Sequence, residues 1–350
     1  MGQTLNRREF VRRTALAAVS LPGFAQGSLA RGWVGEGFAL PRATRGRPYD
    51  APTEENFRGI FAILQTPFRE DDQLDWEDLD REVSFCVRAG AHGLVWPQLA
   101  GEFYLLSEEE RLRGAEVVVR AAAGRKPVVI GVQAPVKEVA VKFARHAEEK
   151  GADAVIALPP FLGGAGLDTV TSYYRSLAQA VKIPIFIQNS GEPWGPALSP
   201  SFVIDLARQY PQLGYIKEEV SPVAHRMAEY AHSGVMKSIF SGSAGRNLLD
   251  ELAHGSSGSM PACEFVDVDA QVYDLAAAGR DQEARDLFRK LLPMINLEEI
   301  YGLRLMKAVL VRRGIFKTAK LRGAGSGGMD ALDEKEMEAW WKDLAPYLRV

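Results

Sequence analysis

This sequence predicts an α/β fold, a (β/α)8 TIM barrel with a C-terminal helical extension, and three observations lead there. From Gly59 onward, apolar runs of strand length alternate with amphipathic runs of helix length. The strand runs are continuously hydrophobic, as parallel strands covered by helices require, whereas a half-exposed strand would alternate. There are eight of them, the number at which successive βα units close on themselves.

Taken in order, the strand candidates are residues 59–66, 93–98, 127–132, 154–159, 183–189, 214–217, 237–241 and 256–261. The first helix is predicted over 76–88, where Trp76, Leu79, Val83, Cys86 and Val87 form one stripe. The second, over 107–123, opens with a Ser-x-x-Glu capping box at Ser107 and Glu110. Further helices are expected to start near Lys137, Asp168, Ser201, Ser221 and Gly245. The barrel is placed at 56–262 and the helical extension at 263–350, with helices over 281–292, 297–313 and 334–348. The Gly-rich stretch 323–328 lacks both a preceding strand and a following Lys-Ser/Thr, so it reads as a connector rather than a phosphate loop.

The N-terminus differs in kind. Arg7-Arg8, then Phe10, then a weakly apolar run from Thr14 to Leu21 and a small-residue exit near Ala25 form the order of a twin-arginine export signal. The apolar run is too short to span a bilayer. Residues 1–35 are therefore assigned to a signal that directs the chain to the periplasm, and 36–55, rich in Pro and Arg without periodicity, to a linker or arm.

Composition bounds the partners. The chain has 350 residues, 47% of them hydrophobic, a formal net charge of −3 and a pI near 6.1, which gives no global attraction for nucleic acid or an anionic membrane surface. Polyanionic partners are not expected. With only Cys86 and Cys263, a disulfide framework and a multi-cysteine metal site are excluded, although barrel closure brings the first helix beside the last strand, where these two could form a single bridge. The five histidines do not space as a metal site.

The chemistry concentrates in Gly214-Tyr215-Ile216-Lys217-Glu218-Glu219, a short apolar strand that ends on a lysine where a parallel sheet presents its reactive groups. Desolvation favours the neutral amine, the form that attacks a ketone to give an imine. The other reading is a snorkelling surface charge.

Along this framework, Gln65-Thr66-Pro67-Phe68, Gly101-Glu102 with Leu106-Ser107-Glu108-Glu109-Glu110-Arg111, Ile183-Pro184 to Asn189, Tyr215-Ile216-Lys217 and Ser241-Gly242 resemble, in order and spacing, the dihydrodipicolinate synthase and N-acetylneuraminate lyase family. The resemblance spans 59–348. It implies that Lys217 forms a Schiff base with a 2-oxo acid, that no cofactor beyond this covalent imine is needed, and that the chain assembles as a homodimer or homotetramer. Contacts to substrate are implied for Gln98, Leu99, Ala100, Phe161, Gln188, Asn189, Gly242 and Ser243.

Departures narrow the reaction. Where the family's aldol enzymes carry a Gly-Thr-Thr-Gly-Glu turn, this chain has Gln98-Leu99-Ala100-Gly101-Glu102, without either hydroxyl. Gln188 replaces the tyrosine expected at the fifth strand, and Pro159-Pro160-Phe161 lacks the aromatic hydroxyl expected after the fourth. The Tyr-Thr-Tyr proton relay cannot be built, and no arginine follows Asn189 in Ser190-Gly191-Glu192-Pro193 to hold a second substrate's carboxylate. Dihydrodipicolinate synthesis itself is not expected. Strand alternation places Glu219 on the face of Lys217, where it acts either as a general acid or base, or as an ion-pair partner that keeps the amine inert. The expected activity is a lyase, by aldol cleavage or dehydration, on a 2-oxo or 2-oxo-3-deoxy sugar acid. The alternative is a non-catalytic periplasmic barrel that binds a sugar acid or related anion.

Overall fold

The computed structural model describes residues 57–323 and 328–350; the export signal and the arm expected at 1–35 and 36–55 lie outside the described residues. Eight parallel strands close into a barrel in sequence order. They are β1 (Gly59–Ile63), β2 (Gly93–Trp96), β3 (Val128–Gly131), β4 (Ala154–Ala157), β5 (Ile185–Asn189), β6 (Tyr215–Glu218), β7 (Ser238–Ser241) and β8 (Gly258–Ser259). At the seam, Gly59 faces Gly258 and Ile60 faces Ser259. A Cβ on Gly258 would stand 1.9 Å from the Gly59 carbonyl oxygen, so only glycine lets the last strand approach the first. The ladder of β8 is shorter than the expected run 256–261, because the Ser256 and Ser257 hydroxyls hydrogen-bond to the Ile239 and Gly258 backbone before it begins.

Helices α1 (Trp76–Ala89), α2 (Glu108–Ala122), α3 (Lys137–Glu149), α4 (Leu167–Ala180), α5 (Pro200–Gln209), α6 (Val223–His232) and α7 (Leu248–Ala253) alternate with the strands. Asp75 caps α1 by accepting from the Glu77 and Asp78 amides, and both bonds of the Ser107–Glu110 capping box form at the start of α2. One apolar core lies between strands and helices. A second fills the barrel with Phe57, Phe61, Ile63, Val95, Val129, Ile156, Phe186, Tyr215, Phe240 and Met260. Its rings pack edge-on, with Phe61 and Phe240 centroids 4.9 Å apart. The interior is a packed plug, so polar chemistry is confined to the layer above it, at the C-terminal ends of the strands.

After β8 come α8 (Val266–Ala277), α9 (Asp281–Tyr301), α10 (Leu303–Arg312) and α11 (Ala331–Leu344). The expected break between 292 and 297 is absent. Helix α9 runs through Pro293 because Leu291, Met294, Ile295 and Leu297 are buried around it, and the chain turns instead at Gly302, with φ 54°. Helix α8 adds to the three named segments of the extension, and the last helix ends at Leu344 in a 3-10 turn, Ala345–Tyr347.

The segment following α10 returns across the loops after β1 and β2. Thr318 Oγ1 donates to the Phe68 carbonyl at 2.8 Å, Lys317 Nζ reaches Asp75 at 2.9 Å, and Arg322 donates to both oxygens of Glu110 at 2.8 and 2.7 Å. Lys307 of α10 makes a fully buried ion pair with Glu102, whose other oxygen accepts from the Arg322 backbone amide. The turn after β2 is therefore fastened from behind by the extension.

Cys86 and Cys263 are both buried and free. The bridge considered from sequence is not formed: the thiols are neighbours, but Cys263 donates to Glu82 Oε1 at 2.9 Å, which also accepts from the Gln65 amide at 2.7 Å. Burial pushes the Glu82 carboxyl up to about 8 despite these donors. The folded chain then keeps a proton that the unfolded chain releases above 4.5, so stability declines as pH rises from there to about 8 and the loss is complete above it. Glu82→Gln is expected to flatten that decline by of order 5 kcal/mol, read from urea midpoints at acid and alkaline pH.

Candidate active site

Strand β6 is read from its pleat. Tyr215 joins the barrel plug, so Lys217, two residues on, shares the interior face in the layer above, while Ile216 and Glu218 face the helices. Lys217 pairs in register with Gln188 of β5 on one side and Phe240 of β7 on the other. It is 3% exposed, so the snorkelling surface charge is not what the fold makes of it.

Glu219 continues that face. Its Oε1 lies 3.2 Å from Lys217 Nζ, and its side chain is 15% exposed. Its Oε2 accepts from Gln188 Nε2 at 2.8 Å and from the Ser190 hydroxyl in a short contact. Burial raises the Glu219 carboxyl, but the Lys217 ammonium, the Ser190 hydroxyl and the Gln188 amide together hold it below the usual carboxylate range. Glu219 is thus a carboxylate able to accept a proton.

Gly242 keeps room for this pair. A Cβ there would stand 1.9 Å from Glu219 Oε1 and 2.8 Å from Lys217 Cε. The bulk of the pair therefore holds this position to glycine. Gly242→Ala is expected to retain the fold and to slow imine formation with pyruvate about 100-fold, the penalty for misplacing a reacting group by about 1 Å; trapping rates beside circular dichroism check it.

On the opposite wall, the Gln98 amide lies over the interior face of Gly131. Its Nε2 donates to Gln133 Oε1 at 3.2 Å, and Gln133 Nε2 donates to the Pro97 carbonyl at 2.9 Å. Leu99 and Ala100 form a 3-10 turn, Leu99–Gly101, with Ala100 resting on the barrel plug. Thr66 Oγ1 pins that turn through the Gly101 carbonyl at 2.6 Å.

Asn189 is a correction. It faces outward with Ile185 and Ile187, and its amide is spent on the Leu198 backbone and on Glu218, so it shapes the loop after β5 and does not enter the mouth. Ser243 is exposed in a turn with φ 51°, followed by Ala244 at 55°. Phe161 joins Phe103, Tyr104 and Trp194 in an aromatic rim drawn from the loops after β2, β4 and β5, with Phe161 and Trp194 centroids 6.0 Å apart. Sequence reading missed Ser190 and Trp194; Ser190 was detectable, since it lies two residues beyond Gln188 on the same face.

No group of three or more His, Cys, Asp or Glu side chains that could hold a metal occurs among the described residues. None of the helices among them is long and apolar enough to cross a membrane. A surface cavity of about 670 Å³ lies among Arg304, Arg312, Met337 and Glu338 of the extension and shares no residue with the barrel mouth.

Fold and site define a closed (β/α)8 barrel with a lysine–glutamate pair on the interior face of its sixth strand. The chain belongs to the dihydrodipicolinate synthetase family, whose profile matches residues 56–326. It is 27% identical over 271 residues to an L-2-keto-3-deoxyarabonate dehydratase of Azospirillum brasilense, covering 76% of this chain and 87% of that protein. Over 253 residues it is 29% identical to a probable 2-dehydro-3-deoxy-D-pentonate aldolase of Escherichia coli strain K12, covering 71% and 83%. The crystal structure of dihydrodipicolinate synthase from Rhodopseudomonas palustris shares the fold, with a TM-score of 0.76, 24% identity and coverage of 84% of this chain and 100% of that one.

Proposed function

We propose that this protein is a Schiff-base-forming lyase that cleaves or dehydrates a 2-oxo-3-deoxy sugar acid and does not make dihydrodipicolinate. The observation that carries the proposal is the near-complete burial of Lys217 on the barrel's interior face, 3.2 Å from an ionised Glu219.

The geometry supports a sequence of proton transfers that uses this pair alone. As the substrate carbonyl displaces water, the Lys217 ammonium passes a proton to Glu219 and the neutral amine attacks C2. Glu219 returns the proton to the carbinolamine hydroxyl, which leaves as water, and the iminium remains beside a carboxylate. That carboxylate then removes a proton, from C3 when the C4 hydroxyl is to leave, or from the C4 hydroxyl when the C3–C4 bond is to break. In both cases the iminium nitrogen takes the electron pair, so Lys217 serves as the electron sink, and Glu219 gives its proton to the departing C4 hydroxyl, which leaves as water, or to C3 of the enamine after cleavage. Gln188 and Ser190 orient Glu219 without titrating near neutral pH. The two relatives named above carry one of these outcomes each in their names, and the missing hydroxyls at Leu99 and Ala100 and the missing arginine after Asn189 support the exclusion of dihydrodipicolinate synthesis.

The same reading includes export, supported by Arg7-Arg8 and Phe10, and assembly as a homodimer or homotetramer. Incubation with pyruvate or L-2-keto-3-deoxyarabonate and borohydride, followed by peptide mass analysis, tests it. A reduced adduct on Lys217 is expected. Ligand-induced melting shifts with no adduct from either acid would replace the lyase by a binding protein.

A further inference from the structure

The barrel mouth has a specific deficit of hydrogen-bond partners. Among the described residues, the side-chain oxygens of Gln65, Gln98 and Gln188, and the NH2 group of Gln65, are buried without a protein partner. The orientations of two of these amides are fixed by their neighbours. Gln188 must turn its NH2 to the Glu219 carboxylate, and Gln98 must turn its NH2 to Gln133 Oε1, because Gln133 spends its own NH2 on the Pro97 carbonyl. Their free atoms are therefore carbonyl oxygens, which accept and never donate.

Gln65 was read from sequence only as part of a motif. Phe61 and Ile63 of β1 belong to the interior plug, and the pleat carries Gln65 to the same face one layer higher. Its side chain is wholly buried, with both amide atoms unmatched. Leaving such a group unpaired costs about 1–3 kcal/mol, so a ligand that pairs with it is favoured there.

We infer that Gln65 is a substrate-binding residue whose carboxamide, together with the Gln98 and Gln188 oxygens, takes the hydroxyl groups of a polyhydroxylated chain. The unmet capacity is three acceptors against one NH2 donor group. Pyruvate, with no O–H or N–H beyond an ionised carboxylate, can satisfy only the donor, whereas a polyol tail supplies the donors that the three oxygens lack. Topology agrees. In a ring of eight strands closed in sequence order, β1 and β2 lie opposite β5 and β6, so a chain anchored at Lys217 must cross the mouth to reach Gln65 and Gln98.

The inference deepens the lyase reading and rests on it for the anchoring lysine. The experiment compares borohydride trapping of pyruvate and of L-2-keto-3-deoxyarabonate by wild type, Gln65→Leu and Gln65→Met, both of which remove an unmatched amide and are expected to fold. The ratio of half-saturation concentrations, sugar acid over pyruvate, is expected to rise about tenfold or more in both variants. An unchanged ratio overturns the inference. If wild type traps neither acid, the lyase reading fails alone, and melting shifts with L-arabonate, which lacks the 2-oxo group, decide Gln65 separately. A shift in wild type that Gln65→Leu loses supports it; a shift retained by the variant, or absent from wild type, overturns it.

Discussion

Lys217→Ala is expected to abolish the borohydride-trapped adduct and to lower turnover by about 10,000-fold or more, the scale reached when a covalent nucleophile is deleted. The substitution also leaves the Glu219 carboxylate buried without its cation, so loss of activity alone would be ambiguous. Lys217→Arg resolves this. A guanidinium keeps the charge opposite Glu219 but is never deprotonated near neutral pH and forms no imine, so this variant is expected to be as inactive as the alanine variant while melting close to wild type. Intact-mass analysis beside a thermal melt checks both, and an adduct persisting in either variant would move the chemistry to another residue.

Glu219→Gln is expected to separate binding from chemistry. The amide keeps the shape and the Gln188 and Ser190 neighbours but accepts no proton, so turnover should fall about 100- to 10,000-fold while pyruvate is still captured at Lys217, more slowly. The pH dependence follows from the direction of the Glu219 shift. Because its carboxyl is held below the usual value of 4.5, the active carboxylate persists down to that pH and is lost as pH falls through the depressed value. The acid limb of the wild-type rate profile should therefore lie below about 4.5 and should be missing from the glutamine variant. Rate profiles on the hydroxylated acid supply the check.

The fold was legible because continuous apolar runs report burial on both faces, a property of each segment that needs no knowledge of its neighbours. Lys217 and Glu219 were legible for a related reason, since a two-residue period places them together once the strand is recognised. The same period, applied to β5, would have turned Asn189 away from the mouth and brought in Ser190; applied to β1, it would have brought in Gln65. Gly242 was noticed for its position, but its role depends on the space a methyl group would occupy, which only coordinates reveal. Trp194 lies in a loop whose path has no periodicity, and the uninterrupted α9 owes its passage through Pro293 to packing that local propensity does not encode.

The fastening of the Gly101–Glu102 turn by Lys307 and Arg322 has a consequence for how this molecule can be altered. Residues more than 200 positions apart in the chain behave as a single rivet, so the tail is a structural member of the reaction chamber. Shortening the protein after Arg313 would leave all eight strands and Lys307 in place and yet remove the Arg322 half of the rivet, uncovering one oxygen of an acidic side chain that now has no route to water.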